Sequence, residues 1–211
     1  MPVVWTSQSD QLKVGVWILR EQEENFLSLS WMIDQQLPAG RRLQQLACRA
    51  LLKELDPDFP FQSYSLDPHG KPYLTNGYCH FNLSHTSDAV AAVISYDSSV
   101  GIDLERINDR VIRVQKKFLN APELCFIESQ DPAHQTSFST LFWSIKEALY
   151  KWWGRGGLDF SRDIQIDPFQ GSFPDTLDVR LTLVPQILLK VHCIQLHGNW
   201  VTYIHNELPA I

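Results

Sequence analysis

Two acids two residues apart, in Val100-Gly-Ile-Asp-Leu-Glu105, are the first side chains in this chain with chemistry to offer. If the segment is a strand, its period of two puts Asp103 and Glu105 on one face and turns Ile102 and Leu104 toward a core. Neighbouring carboxylates repel and call for a cation. Magnesium suits them, being hard, oxygen-seeking and usually held by one or two carboxylates plus substrate phosphates. The same spacing also suits two ordinary acids at a solvent-exposed strand end. Further along, Trp143, Glu147 and Lys151 recur at intervals of four and share one face of a helix. A Glu–Lys pair so spaced is a routine surface pair, stabilising by about 0.3–0.5 kcal/mol. Here Phe142, Trp143, Leu149, Trp152 and Trp153 make the helix nearly apolar all round, which directs its charged residues into a cleft.

Groups suited to phosphate lie upstream. Gly70-Lys71-Pro72 sets a lysine between a flexible and a rigid residue, as in a loop presenting one fixed cation, or in a plain exposed turn. Asn82-Leu-Ser-His85, followed by Thr86, reads as a short loop whose amide, hydroxyl and imidazole groups can donate to phosphate oxygens or serve turn and capping chemistry. Arg41 and Arg42, near the start of a helix, can reach an anion there. With Arg49 they also suit a solvated face, or an ion pair with a residue such as Glu54.

The elements that must position these groups follow from periodicity. Val14–Leu19 reads as a strand, and Arg41–Leu55 as a helix, with apolar residues at 43, 46, 47, 50, 51 and 55 and prolines at 57 and 60 beyond it. Asp67–Pro72, including His69, is turn-rich. Short strands are expected near Tyr73–Leu74, His80–Leu83, Ala89–Tyr96 and Val100–Leu104. Arg110–Leu119 suggests a helix, Pro122–Ser129 a helical turn, and Ser137–Trp153 a longer helix stopped by Gly154-Arg-Gly-Gly157. The tail alternates strand-like runs at Ile164–Ile166, Leu177–Val184, Ile187–Gln195 and Trp200–His205. The expected class is α+β: two similar α/β halves packed together, residues 1–98 and 99–211.

Bulk properties narrow the functions. The 211 residues include 44% hydrophobic and 20% charged, enough for a core and without the long charge runs of disorder. A net charge of −6 disfavours a general nucleic-acid binder. Cys48, Cys79, Cys125 and Cys193 form no C-x-x-C pair, and a chain this long is not one of the small secreted domains that need disulfide staples. The start has neither the basic residues nor the apolar run of a signal peptide, and no uncharged apolar stretch approaches the roughly 20 residues that span a bilayer. The expectation is a cytoplasmic protein with reduced thiols, no membrane and no nucleic-acid partner.

In order, Gly70-Lys-Pro72, Phe81-Asn-Leu-Ser-His85, Gly101-Ile-Asp-Leu-Glu105 and Trp143-Ser-Ile-Lys-Glu-Ala-Leu-Tyr-Lys151 resemble the 4'-phosphopantetheinyl transferase superfamily. The length resembles its larger, surfactin-synthetase-activating type, in which two halves form a pseudo-dimer within one chain. The resemblance implies transfer of phosphopantetheine from coenzyme A to a serine of an apo acyl or peptidyl carrier protein, releasing 3',5'-ADP. It makes Asp103, Glu105 and Glu147 the acids that hold Mg2+. Lys71, Ser84, His85, Asp103 and Lys151 become coenzyme A-binding positions, and Arg41 and Arg42 lie in the region that meets the 3'-phosphate. Glu147 and Lys151 are the catalytic pair, the first placed to accept the serine proton, the second to assist the departing phosphate. Arg110–Leu119, basic and apolar, has the character of a carrier-docking surface. A pseudo-dimeric chain can work as a monomer. The alternatives are a magnesium-dependent phosphohydrolase and a non-catalytic coenzyme A-binding protein.

Overall fold

The computed structural model describes residues 3–34, 36–68, 70–167, 169, 171, 173–183 and 186–209; His69 of the expected turn and Val184 of an expected strand lie outside them. The chain begins with a hairpin of β1 (Val3–Gln8) and β2 (Leu12–Ile18). After a 3-10 segment, α1 (Ala39–Leu55) starts behind Pro38 and buries Leu46, Ala47, Leu51, Leu52 and Leu55 along one stripe. Each such leucine contributes about 1.5–3 kcal/mol relative to exposure. A small ribbon of β3 (Tyr64–Leu66) and β4 (Pro72–Leu74) follows, then the hairpin β5 (His80–His85) and β6 (Ala89–Ser95). The first sheet runs β1-β2-β6-β5.

The second half leads with β7 (Ser99–Arg106) and continues through α2 (Arg110–Val114), α3 (Ala121–Glu128), α4 (Pro132–Trp153) and α5 (Phe160–Asp163). It ends with β8 (Ile164–Ile166), β9 (Thr176–Leu181), β10 (Ile187–Leu196) and β11 (Asn199–Asn206), giving a sheet ordered β7-β11-β10-β9-β8. Both halves follow one plan. A leading strand, β2 or β7, is followed by a long helix, and a closing hairpin returns its last strand, β6 or β11, beside the leader. The class is α+β, with two similar halves.

The layers stack helix, sheet, sheet, helix. Val90, Ala92 and Ile94 of β6 pack beneath α1, whereas Ala89, Ala91 and Val93 face Ile102, Leu104, Val201 and Tyr203 of the second sheet. Both faces of β6 are covered, which explains its unbroken run of apolar residues up to Ser95. On the far side Leu141, Ile145, Leu149 and Trp152 of α4 bury against Val179, Val191, Trp200 and Ile204. Among the described residues no helix is long and apolar enough to cross a membrane.

Several expected boundaries shift. α4 begins at Pro132, five residues before the expected Ser137, because Asp131 caps it by accepting from the Ala133 amide and proline suits the first helical turn. The helix expected over 110–119 is α2 followed by a 3-10 turn at Gln115–Lys117. The expected loop at Asn82–His85 is instead part of β5. Its alternation of Phe81 and Leu83 with Asn82 and Ser84 is that of a strand whose polar side chains meet another strand's edge.

Candidate active site

β7 is an edge strand of its sheet, so its outward amides need partners from elsewhere. Side chains from β5 supply them. Asn82 Oδ1 accepts from the Ile102 amide at 3.2 Å, and Ser84 Oγ accepts from the Leu104 amide at 3.1 Å. These bonds bind the two sheets and carry Ser84 to Asp103.

The face of β7 formed by residues 101, 103 and 105 meets α4. Gly101 permits the approach, since a Cβ there would lie 2.1 Å from the Ala148 carbonyl oxygen and 2.6 Å from the Trp152 amide nitrogen. With strand and helix this close, Lys151 reaches across. Its Nζ donates to Asp103 Oδ1 at 2.8 Å, Ser84 Oγ at 3.0 Å and the Ile102 carbonyl at 3.1 Å. Ser84 Oγ also donates to Asp103 Oδ1 at 3.1 Å. The structure thus joins Ser84, Asp103 and Lys151, three of the expected residues, in one hydrogen-bonded cluster.

Glu105 and Glu147 border that cluster. Burial, then the Asp103 charge, raises the Glu105 carboxyl to about 7, partly offset by a hydrogen bond from Trp143 and increased by Glu147. Glu147 is also raised, by burial first and Asp103 second, against the lowering effect of Lys151. The acids therefore sense one another, yet among the described residues no group of three His, Cys, Asp or Glu side chains is arranged to hold a metal ion. The expected trio of Asp103, Glu105 and Glu147 is not a ready-made metal cage, because the Lys151 ammonium occupies one side of Asp103. What the acids present does fit a hard cation that takes part of its shell from substrate. Asp103 Oδ2 is buried without a hydrogen-bond partner, and the charged forms of the neighbouring carboxylates are destabilised by burial first and by mutual repulsion second.

On the other side of Lys151 lies a cavity of about 320 Å³ lined by Gly70, Lys71, Pro72, Asn82, Leu83, Tyr150, Lys151, Gly154 and Gly156. Lys71 enters from the β4 side, and its Nζ donates to the Lys151 carbonyl at 2.7 Å in the last turn of α4, where a cation is favoured. Gly154 ends the helix at φ +66°, and a Cβ there would approach the Lys71 ammonium to 2.7 Å. Burial pulls the Lys71 pKa down, against the raising effect of Asp67. His85 is held below its usual value by burial, then by the Lys151 and Arg41 charges. Gln44 of α1 donates to the Thr86 carbonyl at 2.9 Å, fixing the start of α1 beside His85.

The three arginines of α1 part ways. Arg41 is exposed near His85. Arg42 pairs with Glu23 at 3.0 Å and donates to the Leu37 carbonyl at 2.8 Å, so its guanidinium turns toward the preceding segment and not toward the cavity. Arg49 is buried over the Tyr64 ring at 5.0 Å. Arg110, Arg113, Lys116 and Lys117 are exposed around Val114, and beyond them Phe118 packs edge-on against Trp143 with ring centroids 5.0 Å apart. Sequence reasoning overlooked Tyr150 as a cavity wall and read Asn82 as a phosphate-donating or turn residue of a loop, not as the acceptor that pairs with the Ile102 amide of β7. The first could be inferred from its place one residue before Lys151, the second from the polar alternation of β5.

Comparisons with known proteins agree with this arrangement. Residues 99–204, which hold both acidic segments and α4, match the model of the 4'-phosphopantetheinyl transferase superfamily. The chain is 32% identical over 148 residues to the 4'-phosphopantetheinyl transferase AcpT of Salmonella typhi, covering 68% of this chain and 73% of that protein. It is 30% identical over 95 residues to a 4'-phosphopantetheinyl transferase of Bacillus subtilis, covering 44% of this chain and 42% of that one. With the 4'-phosphopantetheinyl transferase gsp of Aneurinibacillus migulanus it shares 35% over 88 residues, 42% of this chain and 36% of the other. The matches to the Bacillus and Aneurinibacillus proteins thus reach only about two-fifths of those proteins' length. Motif order, edge-strand geometry and these similarities converge: the chain belongs to the 4'-phosphopantetheinyl transferase superfamily.

Proposed function

We propose that this protein transfers the 4'-phosphopantetheine group of coenzyme A to a serine hydroxyl of an apo acyl or peptidyl carrier protein, releasing 3',5'-ADP. The observation that carries the reading is the convergence of Ser84, Asp103 and Lys151 beside a cavity that a second lysine, Lys71, also lines. A coenzyme A pyrophosphate needs cations on one side and a charge-balanced acidic group on the other, and both are present here. Asp103, Glu105 and Glu147 are the residues that would hold Mg2+, which supplies neutralisation of the pyrophosphate charge when bound. Lys151 and Lys71 donate to phosphate oxygens, and Lys151 is placed to stabilise charge on the departing ADP phosphate. Neutral His85 and the Ser84 hydroxyl orient the nucleotide end, with Arg41 toward the 3'-phosphate. Arg42, engaged by Glu23, is a weaker candidate for that contact.

Glu147 accepts the serine proton. Its raised pKa suits the role, since a base works best when its pKa approaches the operating pH. The carrier docks along 110–119, where exposed basic groups surround Val114, and this brings its serine alongside Trp143 and Glu147. On this reading residues 1–98 carry part of the coenzyme A site and 99–211 carry the acids, both needed in one chain working as a monomer. Cytoplasmic location follows from substrates of that kind. The test is incubation with coenzyme A, Mg2+ and apo carriers, followed by mass spectrometry of the carrier. A phosphopantetheine adduct on serine is expected, and its absence from every carrier tried overturns the reading. Glu147→Gln should fold normally and lose transfer; near-normal turnover would remove the base assignment.

A further inference from the structure

One charged group in α4 takes no part in the chemistry above. Lys146 lies next to Glu147 in sequence but is turned about 100° away around the helix, where its side chain has no solvent exposure. All three of its donors are used: Glu123 Oε2 at 2.7 Å, the Phe160 carbonyl at 2.8 Å and the Ile164 carbonyl at 2.8 Å. Glu123 is equally committed, accepting from the Ile166 amide through Oε1 and from the Asn120 amide through Oε2, both at 3.0 Å.

The segments so tied are the two walls of one groove. Asn120 directly follows the basic stretch that ends in Phe118 and Leu119, and Phe160 begins α5. Between them, Trp143 packs against Phe118 at 5.0 Å and against Phe160 at 5.6 Å. Together with Val114, Lys117 and Leu158 these rings line a surface cavity of about 520 Å³. Trp143 also lies beside Glu105, whose raised carboxyl pKa it partly lowers.

We infer that Lys146, through Glu123, is a positioning residue that sets the separation of the Phe118 and Phe160 walls, and thereby the binding of the acceptor protein and the placement of Trp143 against Glu105. The inference rests on the proposed transferase reading. The ammonium is the only group among the described residues that hydrogen-bonds to both Glu123 and the Phe160 carbonyl. Its loss frees both walls at once, while the nucleotide cavity, built from Lys71, Gly154 and Tyr150, keeps its own contacts.

The experiment measures KM for coenzyme A and KM for an apo carrier separately in the wild type, Glu123→Gln and Lys146→Met, with folding checked by thermal melting. Glu123→Gln keeps the shape of the side chain and guards against a Lys146→Met chain that does not fold. Because misplacement by about 1 Å at a distance from the chemistry can cost about 100-fold, a rise of roughly tenfold or more in carrier KM is expected for Lys146→Met, and roughly threefold for Glu123→Gln. Coenzyme A KM should stay within about twofold of wild type. A carrier KM unchanged in every variant that folds, or both KM values rising together, overturns the positioning role. A wild type that modifies no carrier overturns the transferase reading instead, so the two failures are distinguishable.

Discussion

α4 carries two lysine–carboxylate pairs five residues apart, and they are built on opposite principles. Lys146 and Glu123 are sealed in, with every ammonium donor matched and both carboxylate oxygens occupied by backbone amides. Lys151 and Asp103 are about as close, at 2.8 Å, and Lys151 also makes three hydrogen bonds, but Lys151 is partly exposed and Asp103 Oδ2 has no partner. A saturated pair can only hold structure. An unsaturated one, bordered by two more acids whose protons are held too tightly for ordinary carboxylates, keeps capacity in reserve for a ligand. Distance alone does not separate the two; the accounting of lone pairs does.

Exchange of one lysine at a time is the sharpest way to break this contrast. Lys146→Met strands the buried Glu123 charge and should cost about 3–5 kcal/mol of stability, read by urea denaturation. Lys151→Met also strands a buried carboxylate, Asp103, but at a partly exposed ammonium, so it should cost less stability than Lys146→Met while lowering the transfer rate by about 100-fold or more, as loss of a preorganised cation does. If the stability losses are equal, the division into a structural and a functional pair fails.

A methyl group at Gly101 tests the geometry both pairs depend on. The Gly101→Ala side chain must push α4 away from β7, so stability should fall by about 1–3 kcal/mol and the Lys151–Asp103 bond should lengthen. A variant with wild-type melting and turnover would show that the close approach is dispensable.

The third effect is smaller and depends on pH. A carboxyl whose folded pKa is raised, as for Glu105 at about 7 against an ordinary 4.5, takes up protons more readily in the folded state. Its stabilising contribution is therefore complete below about pH 4.5 and is lost as pH rises toward 7. Metal-free protein should melt at progressively lower temperature across that window, and Glu105→Gln should flatten the slope. Added Mg2+ should recover the loss at the upper end. A melting temperature that rises with pH through the same window would contradict the described environment of Glu105.

How much of this was legible in the sequence differs between the pairs. Glu147 and Lys151 declare a shared face by spacing alone, and Asp103 with Glu105 by strand alternation, because both rules are local. The Gly101 contact is written in the same segment, but its meaning depends on a helix that starts some thirty residues later in the chain. Lys146 and Glu123, 23 residues apart, have no local relationship, so nothing in either neighbourhood announces their bond. Asn82 and Ser84 misled in a more instructive way. Polar residues in series read as a loop because strands usually present such residues to water, whereas here they terminate the hydrogen-bonding edge of another strand. The reach of Arg42 to Glu23 is likewise a tertiary outcome that helix periodicity does not contain.

The bond from Lys71 to the Lys151 carbonyl spans 80 positions of the chain, and those from β5 to β7 about twenty each. Contacts of such range form only after the intervening segment has closed its loop, which places them late in folding. The helices can therefore be present well before the site exists. In a refolding experiment, catalytic competence becomes a clock for the final docking of the halves, lagging behind any signal that reports local structure alone.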